Sequence, residues 1–363
     1  MKHDTNMPAS PLALIAVCAL ATLGGCVKLH TDESAMDPAG PQAGSIHALM
    51  LLFLVVCIVV FVVVMLVVAM AIFRSRPGQA VVGDQPIVHP DPARERRVWR
   101  VVSGSIIVST VTLFVLLLCD FATGRSLHRL SESHETLRVQ LTSHQWWWDV
   151  QYTDWPERFG ERVPSNRVTT ANEIHIPVDP QHPVAIEIEL DSADVIHSFW
   201  VPSLHGKKDM VPGHPTTIWI RADKPGVYWG ECAEFCGYQH AQMRIAVIAE
   251  PPEKFAAWIE SQRQSAPEPK NARQARGQAV FLQGSCLMCH AVQGTIARGR
   301  VGPDLTHVAS RQALGAGAVA NVPGHLAGWI VNVQSIKPGA HMPPNTLTPQ
   351  DLRALLEYME TLK

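Results

Sequence analysis

Two long segments of the chain contain apolar residues and no charge. They cover residues 48–73 and residues 101–119. A helix needs about 20 predominantly apolar residues to cross a bilayer core. Both segments are therefore predicted to be membrane-spanning, as a helical hairpin over residues 45–122. A buried helix of a soluble domain is the alternative for each, but their length and purity argue against it.

The hydrophobic period changes after the hairpin. In "VAIEIEL" the apolar residues Ile186, Ile188 and Leu190 alternate with two glutamates, and "TTIWIRA" repeats this pattern. The turn-forming stretches "VDPQHP", "MVPGHP" and "DKPG" separate such runs. A period of two with short turns predicts half-buried strands, and here an antiparallel sandwich or barrel of about 110 residues.

Helical patterns follow the strands. "PPEKFAAWIESQ" predicts a helix that closes the sandwich domain, which we place at residues 135–262. The polar, proline-bearing residues 263–271 are predicted to be a linker. Residues 272–363 then form a separate helical domain, in which Thr348 is a plausible N-cap of the last helix.

A third apolar segment, "PLALIAVCALATLGGC", lies near the N-terminus. It is short, follows Lys2 and ends in small residues, which is typical of a secretory signal peptide over residues 1–25. The sequence "LGGC" resembles a bacterial lipobox, which makes Cys26 a candidate for lipidation. An ordinary signal peptide with a chance cysteine is the alternative.

The charges predict the orientation of the hairpin. Arginines are concentrated between the two apolar segments, which marks this loop as cytoplasmic; they are Arg74, Arg76, Arg94, Arg96, Arg97 and Arg100. An N-terminal export signal requires the same topology. Residues from about 122 onward are therefore expected outside the cytoplasm.

Composition limits the other possibilities. The formal net charge of −2 gives no reason to expect a nucleic-acid partner. Charged residues make up only 17% of the chain, which agrees with membrane segments.

The motif "CLMCH" is typical of covalent haem attachment. In C-x-x-C-H, two thiols add to the haem vinyl groups and the adjacent imidazole binds iron. We therefore expect thioether bonds at Cys286 and Cys289 and an axial bond at His290. A zinc site is the alternative, but no cysteine follows Cys289 to supply further ligands.

The stretch "GECAEFCGYQHAQM" carries four side chains that bind soft metals: Cys232, Cys236, His240 and Met243. One blue-copper ion uses a single cysteine with two histidines and a methionine. Two cysteines favour two coppers that share both thiolates, with His197 of "DVIHSFWVPS" as a second imidazole. A disulfide between the cysteines is the alternative that export would permit, but it leaves the histidine and the methionine unexplained.

The sixth ligand of the haem iron must come from the distal part of the domain. The candidates are His307, His325, His341, Met342 and Met359, whereas Met288 lies between the attachment cysteines and cannot reach the far face. "KPGAHMPP" is proline-rich, so its backbone is restricted. Methionine also raises the haem potential into the range of an electron carrier. Met342 is therefore our prediction, with His341 as the nearest rival.

The chain resembles subunit II of haem–copper cytochrome c oxidases, in the caa-type form with a C-terminally fused cytochrome c. The resemblance rests on the hairpin and on "SAMDPAGPQA", "SHQWWWDVQY", "DVIHSFWVPSL", "GECAEFCGYQHAQM" and "CLMCH". It covers nearly the whole chain after the export signal. It implies a multidomain protein: a two-helix hairpin, a cupredoxin-like Greek-key sandwich and an all-α class I cytochrome c domain.

The resemblance also implies roles for single residues. In the family a binuclear copper centre, CuA, is bound by residues that match His197, Cys232, Cys236, His240, Met243 and the backbone carbonyl of Glu234. The family's glutamate side chain at this position also reaches a magnesium ion at the interface with subunit I. The family's aromatic electron-entry residue matches Trp146.

The function implied by the resemblance is electron transfer. Electrons from a soluble cytochrome c are expected to reach haem c, then CuA, and then subunit I, where oxygen is reduced to water and protons are translocated. Expected partners are subunits I and III, the donor cytochrome and membrane lipid. The expected location is the bacterial inner membrane, with both redox domains on the periplasmic side.

Other protein classes share only part of this pattern. A quinol-oxidase subunit II lacks the copper ligands, nitrous oxide reductase would lack the hairpin, and a copper-delivery module would not carry haem. Two departures from the family remain. Arg96 stands where the family often has a glutamate before the second helix, with Glu95 one place earlier, so no proton-uptake role is assigned. The fused haem domain also leaves the use of Trp146 by an external donor open.

Overall fold

The computed structural model describes residues 33–74, 91–127, 135–160 and 168–363 of the 363-residue chain. The predicted signal peptide with Cys26, and most of the arginine-bearing loop, lie outside the described residues.

Two long helices confirm the predicted hairpin. Helix α1 is Pro41–Arg74 and helix α2 is Pro92–Leu127, and the two contact each other. Each rises about 50 Å at about 1.5 Å per residue, more than the roughly 30 Å of a bilayer core. Their apolar side chains are exposed along most of their length, a surface suited to lipid rather than water.

The start of α1 is fixed to the next domain. The Ala39 N–H donates to the Ser203 carbonyl (2.7 Å) and the Ala43 N–H to the Leu204 carbonyl (3.1 Å). Hydrogen bonds at the start of α1 therefore connect the membrane hairpin to the sandwich domain.

Among the residues that the structure describes, ten strands form two five-stranded sheets. They are β1 Thr136–His144, β2 Trp147–Asp154, β3 Val168–Ala171, β4 Glu173–Pro177, β5 Ala185–Ser192, β6 His197–Trp200, β7 Lys208–Met210, β8 Thr216–Ile220, β9 Gly226–Cys232 and β10 Arg244–Glu250. One sheet has the order β3-β2-β1-β5-β8 and the other β4-β10-β9-β6-β7. Most pairs are antiparallel as predicted, but β1 with β5 and β4 with β10 are parallel.

The sandwich core lies between the sheets. Ile186, Ile188 and Leu190 are fully buried, whereas the glutamates between them are not, which confirms the predicted alternation. Helix α3, Pro252–Gln262, closes this domain with Phe255 and Ile259 in the core.

The C-terminal domain is helical. It contains α4 Ala272–Gln283, α5 Cys286–Cys289, the short hairpin β11 Ala313–Leu314 and β12 Val319–Ala320, α6 Pro323–Asn332 and α7 Pro349–Met359. Helices α4 and α7 pack against each other. The Thr348 hydroxyl accepts a hydrogen bond from the Asp351 N–H (3.1 Å) and caps α7 as predicted.

Candidate copper and haem sites

Strand pairing brings together the residues predicted to bind copper. His197 is the first residue of β6 and Cys232 is the last residue of β9, and these antiparallel neighbours pair Phe199 with Cys232. Residues 232–243, the copper loop, then return to β10. The Cys232 N–H donates to the Met243 carbonyl (2.9 Å), so the two ends of the loop are joined.

The side chains of the site converge on the two thiols. Cys232 Sγ lies 3.7 Å from Cys236 Sγ, 3.7 Å from His197 Nδ1 and 3.2 Å from the Glu234 carbonyl oxygen. Cys236 Sγ lies 3.7 Å from His240 Nδ1 and 3.9 Å from Met243 Sδ. Both cysteines are free and buried, so the disulfide alternative does not hold.

These spacings fit bound metal. Ligand atoms about 2.3 Å (sulfur) and about 2.0 Å (imidazole nitrogen) from one tetrahedral ion lie about 3.5–3.8 Å apart. The sulfur–sulfur and sulfur–nitrogen distances in this site have that size. Thiolate, thioether and imidazole form the soft donor set that copper prefers over hard cations.

The protonation states of the ligand side chains depend on one another. Hydrogen bonding with Cys236 lowers the pKa of Cys232, and the resulting thiolate raises the pKa of Cys236. Burial disfavours protonated His197, but its bonds to Asp194 and Cys232 outweigh burial and raise its pKa. Asp194 Oδ1 lies 2.9 Å from His197 Nε2. This carboxylate orients the ring, so that Nδ1 faces the thiol.

Trp146 lies at the turn between β1 and β2, beside the copper loop. Its indole Nε1–H donates to the Cys236 carbonyl at 3.0 Å, and the Gln145 side-chain amide donates to the same oxygen at 2.8 Å. Trp146 is only 9% exposed. The roles of Gln145 and Asp194 could not be predicted from the sequence, since they depend on contacts between distant segments.

The side chain of Glu234 is half-buried, and its Oε1 accepts a hydrogen bond from the Phe235 N–H (3.3 Å). The structure therefore presents its backbone carbonyl to Cys232. Glu95 lies in the exposed first turn of α2, well separated in sequence from both sites.

The C-x-x-C-H motif forms a short helix at the edge of the C-terminal core. Cys286 and Cys289 are partly exposed, and both are free thiols. His290 Nδ1 lies 2.8 Å from the Pro303 carbonyl, which fixes the proton on Nδ1 and leaves Nε2 available. Burial also lowers the pKa of His290, which favours the neutral ring. Gly302 lies against this ring, where any Cβ would collide with it.

Several apolar side chains of the C-terminal domain are packed on its core and only partly buried; they include Leu287, Leu305, Trp329 and Leu347. A large apolar cofactor would cover such a surface. The motif and its surroundings therefore fit a covalently attached haem.

The rivals of Met342 have other environments. Met359 is buried in the core of the C-terminal domain. His307 Nδ1 bonds the Lys363 carbonyl (2.7 Å) and His325 Nδ1 bonds the Ala320 carbonyl (2.9 Å). Met288 is 71% exposed.

Met342 lies in residues 337–342, here called the methionine loop. Gln334 organises this loop: its amide donates to the carbonyls of Ala340 (2.7 Å) and Met342 (3.1 Å) and accepts from the Gly339 N–H (2.7 Å). Sequence reasoning missed Gln334, because a glutamine after a helix carries no recognisable pattern.

The methionine loop contacts the copper loop directly. The His341 and Trp146 rings lie 5.9 Å apart between centroids. Gln239 of the copper loop donates to the Pro338 carbonyl at 2.6 Å. Gly339, at φ +85°, lies against the rings of Tyr238 and Trp146. The two candidate sites are therefore neighbours across the domain boundary.

Comparison with known proteins agrees with both domains. Residues 137–250 match the family model "Cytochrome C oxidase subunit II, periplasmic domain", and residues 274–363 match "Cytochrome c". The chain is 34% identical to cytochrome c oxidase subunit 2 of Alkalihalophilus pseudofirmus over 349 residues, which cover 94% of each chain. It is 27% identical to the Bacillus subtilis subunit over 97% of each chain.

The similarity to subunit 2 relatives extends over hairpin, sandwich and C-terminal domain together. A copper-binding subunit II domain and a cytochrome c domain thus occur in one membrane-anchored chain. The chain belongs to the subunit II family of haem–copper cytochrome c oxidases, in the form with a C-terminally fused cytochrome c.

Proposed function

We propose that this chain accepts electrons from a soluble cytochrome c at its C-terminal domain and passes them through its own domain boundary to the sandwich domain and then to subunit I. Oxygen reduction and proton translocation belong to subunit I. The chain's own contribution is to hold two redox groups at fixed positions and to connect them.

One observation carries this proposal. The indole of Trp146 donates to the carbonyl of Cys236, and its ring centroid lies 5.9 Å from that of His341, the residue before Met342. The tryptophan that corresponds to the family's electron-entry residue is therefore covered by the chain's own C-terminal domain. In this chain we assign Trp146 to the internal contact rather than to direct docking of the soluble donor.

The sandwich domain supplies the copper ligands. We assign two coppers to the thiolates of Cys232 and Cys236, with terminal donors His197, His240, Met243 and the Glu234 carbonyl. The buried ligands exclude water, and the joined ends of the copper loop limit rearrangement. When bound, copper and haem supply reversible one-electron redox chemistry.

The C-terminal domain supplies the haem ligands. We assign covalent attachment to Cys286 and Cys289 and axial ligation to His290 and Met342. The Pro303 carbonyl orients His290, and Gln334 holds the backbone around Met342. These contacts fix both axial residues through protein groups outside the iron's own coordination shell.

The remaining assignments concern the complex and the membrane. We assign residues 135–262 and 272–363 to the external side of a bacterial inner membrane, residues 1–25 to a signal peptide and Cys26 to lipidation. Subunits I and III and lipid are the proposed partners. The Glu234 side chain is the proposed magnesium ligand at the subunit I interface.

The test is to remove haem attachment from the intact oxidase. Cys286→Ala with Cys289→Ala should abolish oxidation of reduced soluble cytochrome c, whereas a small-molecule reductant should still reduce the copper centre. Cys119→Ala, in α2, is the control and should leave both reactions unchanged. Oxidation of soluble cytochrome c at the normal rate by the haem-free variant would contradict the proposal.

A further inference from the structure

Lys337 is buried at the boundary between the two redox domains. It is the first residue of the methionine loop and is only 2% exposed. Lysine is among the residues that are least often buried, because its ammonium group loses hydration there. Burial lowers the pKa of Lys337 to about 7. A buried lysine at this position requires an explanation.

The ammonium group has three hydrogen-bond acceptors. Its Nζ lies 2.8 Å from the Trp146 carbonyl, 2.6 Å from the Gln242 carbonyl and 2.7 Å from the Gly315 carbonyl. An ammonium group has three N–H donors, so each can be satisfied. The acceptors are neutral backbone groups, and the three segments that carry them are distant in sequence.

Two of the acceptors belong to segments at the proposed electron path, and the third belongs to the β11–β12 hairpin. Trp146 contacts both Cys236 and His341. Gln242 directly precedes the proposed copper ligand Met243. Gly315 begins the tip of the β11–β12 hairpin, residues 315–317.

The hairpin tip enters the sandwich domain. Ala316 is fully buried within the sandwich core, and its carbonyl accepts a hydrogen bond from the Arg244 N–H at 2.9 Å. Lys337 therefore joins the hairpin tip, the methionine loop and the copper loop at one point.

If Lys337 stabilised only the C-terminal domain, all of its hydrogen-bond acceptors would be expected in that domain. Two of its three acceptors belong instead to the sandwich domain. The linker, residues 263–271, keeps the domains close but does not by itself fix their orientation. A specific contact is needed to hold the two redox sites at one distance.

We propose that Lys337 is a positioning residue for electron transfer between the two domains, because its ammonium group holds the methionine loop against Trp146 and the copper loop. This inference rests on the proposed function, since it assumes that electrons cross this boundary. The inference adds to that function the side chain that holds the two redox domains in a fixed relative position.

The experiment uses the intact oxidase with Lys337→Met, which keeps the side-chain length and removes the donors. Haem c is reduced by a photoexcited ruthenium complex, and electron arrival at the copper centre is followed by absorbance. Misplacement by about 1 Å can cost up to about 100-fold where atoms react in direct contact, but transfer between separated redox groups depends less steeply on distance, so we expect a decrease of about 3- to 10-fold. Both absorption spectra and both potentials should stay unchanged. Lys270→Met, at an exposed lysine of the linker, is the control and should retain the normal rate.

Hydrogen exchange provides a second readout, independent of electron transfer. In Lys337→Met, the amides of residues 313–317 and 337–342 should exchange faster, while those of α4 and α7 should not change. If the methionine variant does not load both cofactors, Lys337→Gln, which is neutral and smaller, is measured by the same two criteria.

The outcomes separate the two proposals. If the wild-type chain passes no electrons from haem to copper, the proposed function is wrong. If the wild type does so, and a loaded Lys337 variant keeps the normal rate and normal exchange, the positioning role is wrong. If neither variant folds and loads, Lys337 is a residue of the fold itself, and the positioning role is again wrong.

Discussion

The copper site and the haem site of this chain are built in different ways. The copper ligands lie at the ends of paired strands and in one twelve-residue loop, and their donor atoms converge within 4.8 Å for His197, Cys232 and Cys236. The proposed axial haem ligands, His290 and Met342, lie in separate loops, each held by polar contacts from outside. Sheet hydrogen bonding fixes the first geometry, whereas side-chain contacts fix the second.

This difference predicts different sensitivities. Replacing a copper-binding cysteine removes a ligand from a rigid site, so the binuclear centre should be lost completely. A change in the methionine loop should alter one property of the haem and leave its attachment intact. The expected effects decrease in the order Cys232→Ser, Met342→Ala, Gln334→Ala and Glu173→Gln.

Cys232→Ser should eliminate the binuclear centre, because one thiolate cannot bridge two metals in the same way. Metal analysis should show fewer than two coppers, with loss of the mixed-valence electron paramagnetic resonance signal. The haem should remain, since its ligands lie in the other domain. Two coppers with an unchanged signal would contradict the assignment; Cys119→Ser is the matched control.

Met342→Ala should leave the haem covalently attached and lower its potential. Axial ligands move haem potentials within a range of about 0.8 V, so a decrease on the order of 0.1 V is expected. The weak far-red sulfur-to-iron band should disappear. Redox titration measures the potential, with the exposed Met288→Ala as control; if both band and potential persist, another residue is the ligand.

Gln334→Ala should loosen the methionine loop without removing the ligand. It deletes two donated hydrogen bonds and one accepted bond, and unsatisfied groups cost about 1–3 kcal/mol. The sulfur-to-iron band should therefore be lost at a lower temperature than in the wild type. Gln312→Ala, at an exposed glutamine, should not shift that temperature. If Gln334→Ala and Gln312→Ala lower this temperature equally, the cause is a general loss of stability and not a looser methionine loop.

Glu173→Gln should have the smallest effect. Glu173 is buried and accepts from the Gln312 N–H across the domain boundary (2.6 Å), and an amide oxygen can replace this acceptor at a cost of about 1 kcal/mol or less.

The pH dependence of that variant has a definite sign. Burial raises the pKa of Glu173 above its usual value, so between the unfolded and folded pKa values the native state holds the additional proton. Wild-type stability contributed by this group is present below the unfolded pKa and is lost as pH rises through the folded pKa. Unfolding curves should show the variant gaining relative to wild type as pH rises through this window; a gain toward acid would contradict the burial argument.

Much of the fold could be predicted from local patterns in the sequence. The strand alternation around Ile188, the two apolar helices and the Thr348 cap follow from periodicity and from capping chemistry, which are local. The parallel pairing of β1 with β5 does not, because it depends on which distant strands meet.

The same limit applies to the sites. The copper loop could be recognised because its donors lie within twelve positions, and only His197 had to be found elsewhere. Lys337 lies in a proline-rich loop, where a lysine is ordinarily exposed, yet it is buried against another domain. Burial of that kind depends on domain docking, which no local pattern encodes.

The central claim is that electrons cross from haem to copper within one chain, at the contact between His341 and Trp146. The most direct measurement is photoreduction of haem c in the purified wild-type oxidase without soluble cytochrome c, followed at several protein concentrations and ionic strengths. A contact within one chain predicts one rate, independent of concentration and nearly independent of salt. A rate that rises with protein concentration, or that requires added soluble cytochrome c, would contradict the account.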